Sequence, residues 1–256
     1  MSHGVDGALG TRNAQPLHNL AFMKEFTWDG AATHLDLQPI IPITAEVEMN
    51  ETFSNVLKKI EAQPEYVQLF AAAFEDQQIN SENLLKALSQ FMVLMVSANS
   101  KFDKIERNEG SVFKEDEAAG YELFKSKCAS CHSGTLFTDQ SYRNNGLSVD
   151  TLYNDIGRKR VTGFEEDIYK FKVPTLRNIE LTFPYMHDGR LKTLKDVLDH
   201  YTDGIVDSPT LDPAFKNPDT ETVGLSITEE EKEQIIAFLE TLTDDDYLND
   251  ERFSEF

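Results

Sequence analysis

Both cysteines of the 256-residue chain lie in one pentapeptide, Cys128-Ala-Ser-Cys131-His132. This Cys-x-x-Cys-His spacing is typical of c-type haem attachment, because one helical turn brings two thiols to the vinyl groups of a single porphyrin. The adjacent His132 then directs its imidazole to the iron from the same side. A thioredoxin-like dithiol would need a βαβ context, and a zinc site would need a second cysteine pair. The motif therefore predicts one covalently bound haem c.

The opposite face of the iron needs a sixth ligand from further along the chain. Met186, in the stretch Phe-Pro-Tyr-Met-His-Asp-Gly, offers a thioether. Tyr201 continues the apolar face of a short helix predicted from Leu194, so its side chain is expected to point inward. His187 and His200 are further candidates. Periodicity by itself leaves the choice open.

Two predicted helices must hold the haem motif in place. The first covers residues 115–127 and carries Tyr121 and Phe124 on the same face as Cys128. The second begins at a capping box, Thr228 to Glu231, and turns its apolar residues inward; these are Ile235, Phe238, Leu239 and Leu242. Gly120 in the first helix would let the two backbones approach closely, as the terminal helices of a cytochrome c fold do.

The remaining elements are helices separated by long connections, and no strong strand pattern occurs. An apolar stripe predicts a helix over 81–96, formed by Leu84, Leu88, Phe91, Met92 and Met95. Thr193 and Asp196 form a capping-box variant that begins a short helix, which Gly204 can end. The long connection over 133–190 is expected to wrap a cofactor. We predict an all-α fold of cytochrome c-like domains with long loops.

The charge balance limits the kinds of partner that the protein is expected to bind. The chain has 24 Lys and Arg residues against 45 Asp and Glu residues, a formal net charge of −21. Such a surface repels phosphate backbones, so we expect no nucleic-acid binding, whereas a basic partner would suit it. No run approaches the roughly 18 consecutive apolar residues of a membrane span.

Further motifs resemble the bacterial di-haem cytochrome c peroxidase family, including its MauG branch. They are Gly10-Thr-Arg-Asn13-Ala, Trp28-Asp-Gly30, Gln38 through Pro42 to Glu48-Met49, Pro174-Thr-Leu-Arg-Asn178, Leu181-Thr-Phe-Pro-Tyr-Met-His-Asp-Gly189 and the closing Phe238-Leu-Glu-Thr-Leu-Thr243. The resemblance implies two c-type haems on two cytochrome-like domains, with calcium between them. The N-terminal haem would be peroxidatic, and the C-terminal haem, matched by Cys128, Cys131 and His132, would take in electrons.

The resemblance also assigns ligands. Classical peroxidases carry Met at the sixth-ligand position, and the MauG branch carries Tyr. Counting along the family motif places that position at Tyr201 in this chain. The resemblance therefore favours Tyr201 over Met186 as the sixth ligand. Asn13, Thr182 and Pro184 match the calcium ligands, one side-chain amide and two backbone carbonyls, all of them hard oxygen donors.

Three residues match catalytic positions of the family. Trp28, the single tryptophan, matches the residue between the two haems, where it can relay electrons. Glu48 and Gln38 match the distal pocket of the peroxidatic haem, and Glu48 can take and return the proton that peroxide cleavage moves.

The chain departs from the family because a first Cys-x-x-Cys-His should precede Gly10. We expect an N-terminally truncated sequence that has lost this motif together with a secretory signal; a true single-haem protein is the alternative. The predicted domains are therefore a partial N-terminal peroxidatic domain, 1–110, and a complete C-terminal cytochrome domain, 111–256. Covalent haem is assembled outside the cytoplasm, so we expect a periplasmic protein.

The expected activity is reduction of hydrogen peroxide with electrons from a small cytochrome c or cupredoxin. Because family members are commonly dimers, the resemblance also implies a homodimer. Two other functions stay open: a mono-haem electron carrier without catalysis, and a MauG-like enzyme that oxidises a protein substrate. A thiol oxidoreductase would be excluded by covalent haem on the chain.

Overall fold

The computed structural model describes residues 3–217 and 219–254. Their contacts form two compact units. The first contains the residues up to Thr27 and Ala31–Met95, and the second contains Trp28–Gly30 and the residues from Val96 onward. Regular structure is almost entirely helical in both, with long irregular connections, so the predicted all-α class is confirmed. No helix in the described part of the chain has the length and apolar character to cross a membrane.

Among the residues that the structure describes, the first unit has four α-helices, α1 Ile40–Thr44, α2 Phe53–Glu61, α3 Pro64–Ala73 and α4 Ser81–Leu94. Helix α4 confirms the helix predicted over 81–96, and the Asn80 side chain caps it by accepting from the Asn83 amide. Phe26, Ala32, Leu35 and Met92 form the core of this unit. Phe91, a member of the predicted apolar stripe, is 44% exposed. The residues that α4 buries are Asn83, Leu84, Ser89 and Met92, so only part of the predicted stripe faces the core.

Within its described residues, up to 217 and from 219 to 254, the second unit contains six α-helices and one pair of short strands. The helices are α5 Lys101–Glu106, α6 Glu115–Lys127, α7 Lys159–Thr162, α8 Leu194–Asp199, α9 Glu229–Glu240 and α10 Asp245–Leu248. Strands β1 Tyr142–Arg143 and β2 Phe171–Lys172 pair antiparallel, with Tyr142 opposite Lys172. These strands were not predicted, because two residues are too few to show an alternating pattern.

Helices α6 and α9 cross closely and carry the main core. At Gly120 an added Cβ would lie 1.9 Å from the carbonyl oxygen of Gln234, so only glycine permits this approach. Ile235 and Phe238 on α9 and Leu242 just after it are fully buried, and Phe238 packs against the ring of Phe124 at 5.0 Å. The predicted helices and their crossing are confirmed.

The predicted capping boxes are also present. Thr228 accepts from the amide of Glu231, whose carboxylate in turn accepts from the Thr228 amide. Thr193 caps α8 in the same way. Beyond Asp199 the chain does not end its helix at once but continues as a π-helical turn, His200–Gly204. Single π-helical turns are often found at functional sites, and this one carries Tyr201.

Candidate haem-binding site

The haem motif forms the turn that continues α6. The Cys128 amide donates to the Phe124 carbonyl at 2.8 Å and ends the helix. The amides of Cys131 and His132 then both donate to the Cys128 carbonyl, at 3.2 and 3.0 Å. Both cysteines are free thiols, and burial raises the pKa of Cys128 to about 12. One turn thus holds two neutral thiols and the imidazole in the order that covalent haem attachment requires.

The ring of His132 is oriented by the loop that follows it. Its Nδ1 atom lies 3.0 Å from the carbonyl oxygen of Phe137. Because a carbonyl only accepts, Nδ1 carries the proton and Nε2 keeps its lone pair. Burial lowers the pKa of His132, so the imidazole is neutral at neutral pH. A neutral histidine whose second nitrogen donates to a carbonyl has the arrangement typical of a metal ligand.

A buried ion pair holds the loop that orients His132. Arg177 is 3% exposed and donates to both carboxylate oxygens of Asp103, at 2.8 and 2.7 Å. Its Nε also donates to the Thr135 carbonyl at 2.8 Å, two residues before Phe137. From the sequence, Arg177 is recognised only as part of a family motif, and Asp103 is not recognised at all. Their pairing connects residues far apart in the chain, and no local pattern indicates it.

Tyr201 is held through both its ring and its backbone. Its ring stacks on Phe215, with centroids 5.4 Å apart and planes at 7°, and its carbonyl accepts from the Leu225 amide at 2.7 Å. Burial raises the pKa of Tyr201 to about 12, and the thiols of Cys128 and Cys131 lie close enough to raise it further. The structure therefore brings the phenol of Tyr201 into the neighbourhood of both haem-attachment thiols.

The other sixth-ligand candidates also have partners in the structure. The Met186 sulfur accepts from the side-chain amide of Asn145 at 3.3 Å. The His200 Nε2 atom lies 3.1 Å from the Asn145 carbonyl oxygen. The His200 ring also forms a hydrogen bond with the backbone of Gly204. The ring of His187 stacks on Phe171, with centroids 3.7 Å apart. Asn145, which contacts two of these candidates, was not identified from the sequence.

The donor set fits a c-type haem better than a bare metal ion. Two free thiols, a neutral imidazole and a phenol converge here. By contrast, within residues 3–217 and 219–254 no group of three or more His, Cys, Asp or Glu side chains is arranged to hold a metal ion. Cys128, Cys131 and His132 would hold the haem, with Tyr201 nearby as a second axial donor.

Trp28 lies in a loop that is hydrogen-bonded to the strand pair of the second unit. Its carbonyl accepts from the Lys172 amide at 2.7 Å. The Arg158 guanidinium donates to the Asp29 carbonyl at 2.9 Å and stacks over the Tyr142 ring at 3.7 Å. The backbone at Trp28 is thus held by residues of the cytochrome-like unit, although the surrounding sequence belongs to the first unit.

The remaining predicted residues lie apart from this cluster in the chain. Gln38 and Glu48 flank the short helix α1 of the first unit, and both are partly exposed. Thr182 and Pro184 follow the 3-10 turn Ile179–Leu181 of the second unit, whereas Asn13 belongs to the first. The catalytic roles of Gln38 and Glu48 and the calcium site therefore stay predictions.

Comparisons with known proteins agree with this geometry. Residues 1–111 match the family model described as di-haem cytochrome c peroxidase, and residues 117–243 match that of cytochrome c. Methylamine utilization protein MauG of Methylorubrum extorquens is 37% identical over 94% of this chain and 69% of its own length. The chain belongs to the di-haem cytochrome c peroxidase family. It is thus related to haem-dependent peroxidases.

Two further relatives support the family assignment. Cytochrome c peroxidase Ccp of Escherichia coli is 34% identical over 94% of the chain, which spans only 50% of that relative's length. A crystal structure of a MauG-like protein associated with microbial copper homeostasis superposes with a TM-score of 0.85 at 29% identity, covering 99% of this chain and 81% of the other. The family fold thus extends over nearly the whole sequence.

Proposed function

We propose that this chain carries the electron-transfer haem of a periplasmic peroxidase that reduces hydrogen peroxide. Cys128 and Cys131 would form the thioether links to the haem, and His132 and Tyr201 would bind its iron. The observation that carries this proposal is the grouping of a neutral, oriented imidazole with two free thiols and the phenol of Tyr201. The bound haem supplies the redox-active iron.

The residues around the site have distinct tasks. The Phe137 carbonyl keeps the proton of His132 on Nδ1 and so presents Nε2 as the donor. Trp28, on its loop beside β2, would relay electrons between this haem and a peroxidatic one. Glu48 would take the proton from the nearer peroxide oxygen and return it to the leaving oxygen, with Gln38 in the same pocket.

The charge of the chain supports the choice of electron donor. At a net charge of −21, a small basic cytochrome c or a basic cupredoxin would be attracted to it, and the attraction would weaken as salt is added. We propose such a donor, acting in the periplasm on a homodimeric enzyme.

We also propose a calcium ion bound by the side-chain amide of Asn13 and by the backbone carbonyls of Thr182 and Pro184. These are hard oxygen donors, and water would complete the shell. Calcium titration of the chelator-treated protein, followed by calorimetry, tests the site. Asn13→Ala should lose the binding heat, and binding that is unchanged by this substitution would contradict the ligand set.

The central test measures covalent haem and peroxide turnover on the full chain, produced in a host that assembles c-type haem. Cys131→Ser should lose one thioether link and Cys128→Ser the other. Ser126→Ala, at an exposed position of α6 whose hydroxyl bonds only the Leu123 carbonyl, is the matched control and should bind haem normally. Intact mass and the haem absorbance bands report attachment, and oxidation of a reduced small cytochrome c by peroxide reports turnover. Covalent haem without any turnover would favour a mono-haem electron carrier.

A second function is favoured by Tyr201. A phenol beside the haem-attachment thiols matches the tyrosine of the MauG branch, and the relatives named above include a MauG protein. Such an enzyme oxidises a protein substrate instead of a small cytochrome. Peroxide-dependent modification of a co-purified protein, detected by mass spectrometry and lost in Tyr201→Phe, would support this second function.

A further inference from the structure

Asn145 lies between the two candidates for the sixth iron ligand. Its side-chain nitrogen is 3.3 Å from the sulfur of Met186, and its side chain lies close enough to the phenol of Tyr201 to lower the pKa of that phenol. Its backbone carbonyl lies 3.1 Å from Nε2 of His200, the residue before Tyr201. A single asparagine thus contacts both candidate ligands and the turn that carries one of them.

The backbone on either side of Asn145 is held firmly. Asn144 is 4% exposed, and its side-chain nitrogen donates to the hydroxyls of Ser208 and Thr210 at 3.0 and 2.9 Å. Gly146 accepts from the Val206 amide at 2.8 Å. Neither neighbour can shift without breaking buried hydrogen bonds, so the position of Asn145 is set independently of its own side-chain contacts.

The orientation of the Asn145 amide follows from its third contact. Its oxygen accepts from the Leu147 amide at 3.3 Å, which turns the NH₂ group toward the two candidate ligands. An amide nitrogen has two hydrogens, and both a thioether sulfur and a phenol oxygen accept. One NH₂ group can therefore engage Met186 and Tyr201 together.

We propose that Asn145 is the positioning residue that selects Tyr201 over Met186 as the iron ligand. One N–H holds the sulfur of Met186 in a hydrogen bond and away from the metal, while the other supports the oxygen of Tyr201. The inference rests on the proposed function, in which Tyr201 is the axial ligand. Asn145 itself does not touch the iron.

The test replaces Asn145 in the haem-loaded full chain with Leu, which has a similar size and no hydrogen-bond donor. The ferric protein should gain the charge-transfer band of thioether-ligated haem, and its midpoint potential should rise. Loss of one hydrogen bond to a ligating oxygen shifts the ratio of the two ligand sets by roughly tenfold. In Asn145→Leu combined with Met186→Leu the new band should disappear, because no thioether is left at this place.

Two further variants separate a loss of ligand selection from a failure to fold. Asn145→Asp keeps the oxygen that Leu147 needs but loses the NH₂ group, so it should also gain the band if Asn145→Leu fails to fold. Asn249→Leu, which removes an exposed amide after α10, is the matched control and should keep the original spectrum. An unchanged spectrum and potential in both Asn145 variants would overturn the selection role. A thioether band already present in the unsubstituted protein would overturn Tyr201 as the ligand, and this inference with it.

Discussion

The crossing of α6 and α9 is the most direct place to test the packing described above. A Cβ at residue 120 would lie 1.9 Å from the Gln234 carbonyl oxygen, 2.5 Å from its carbonyl carbon and 3.0 Å from the Cβ of Phe238. The nearest atoms belong to the backbone and cannot rotate away. Restoring ordinary van der Waals contact would therefore move α9 outward by more than about 1 Å.

The sign of Gly120→Ala depends on two opposing effects. Alanine is favoured over glycine inside a helix by about 1 kcal/mol. Overpacking a tight core costs about 1–3 kcal/mol, and the backbone clash and the fully buried Phe238 put this site at the upper end. We expect a net loss of about 2 kcal/mol, which lowers the Tm by roughly 4–8 °C in a chain of this size.

Guanidinium unfolding of the haem-loaded chain, followed by far-UV circular dichroism, measures this change. Ala118→Gly, at an exposed position of the same helix, is the matched control. It reports the helix propensity alone and should cost about 1 kcal/mol. A Gly120→Ala variant that is more stable than the unsubstituted protein by that amount would refute the close crossing.

Three other perturbations test the contacts that hold the site. Arg177→Met leaves the Asp103 carboxylate buried without its bidentate partner, and denaturant titration should show a loss of about 3 kcal/mol; an unchanged midpoint would argue against the pair. Burial opposes ionisation of Asp103, but hydrogen bonds and charge from Arg177 outweigh it and lower its pKa. The stabilisation is therefore present above about pH 4 and is lost as the pH falls further, a dependence that should flatten in Arg177→Met. Thr228→Ala removes the cap of α9 and should cost about 1 kcal/mol of unfolding free energy, whereas equal stability would mean that the cap is replaced. Asn144→Ala should speed hydrogen exchange of the Val206 amide, and unchanged protection there would show that other contacts fix this segment.

The sequence was most informative where the signal is local. Cys128, Cys131 and His132 form one turn, and their spacing predicts the haem chemistry before any fold is known. Helices α6 and α9 are indicated by apolar periodicity and by the Thr228 capping box, whose partners lie within a few residues of one another. The glycine at position 120 predicts a close crossing, because no other residue permits one.

The structure added what depends on pairs of residues far apart in the chain. The ion pair between Asp103 and Arg177 holds the loop that orients His132. No periodic pattern in the sequence indicates this pair. The two-residue strands β1 and β2 are defined only by their pairing with each other. Trp28 joins the second unit through the hydrogen bond that its carbonyl accepts from the Lys172 amide.

By itself the sequence determined that this protein bears a c-type haem motif on a capped helix, and that its motifs resemble those of a peroxidase family. It left Met186 and Tyr201 as competing ligands, since both are inward-facing donors at plausible positions. Only the tertiary structure brought Tyr201 close to the two thiols and placed Met186 against Asn145. The physical reason is that a ligand set is defined by distances between separate loops. Those distances follow from buried hydrogen bonds, such as the ones from Asn144 to Ser208 and Thr210, that no single segment encodes.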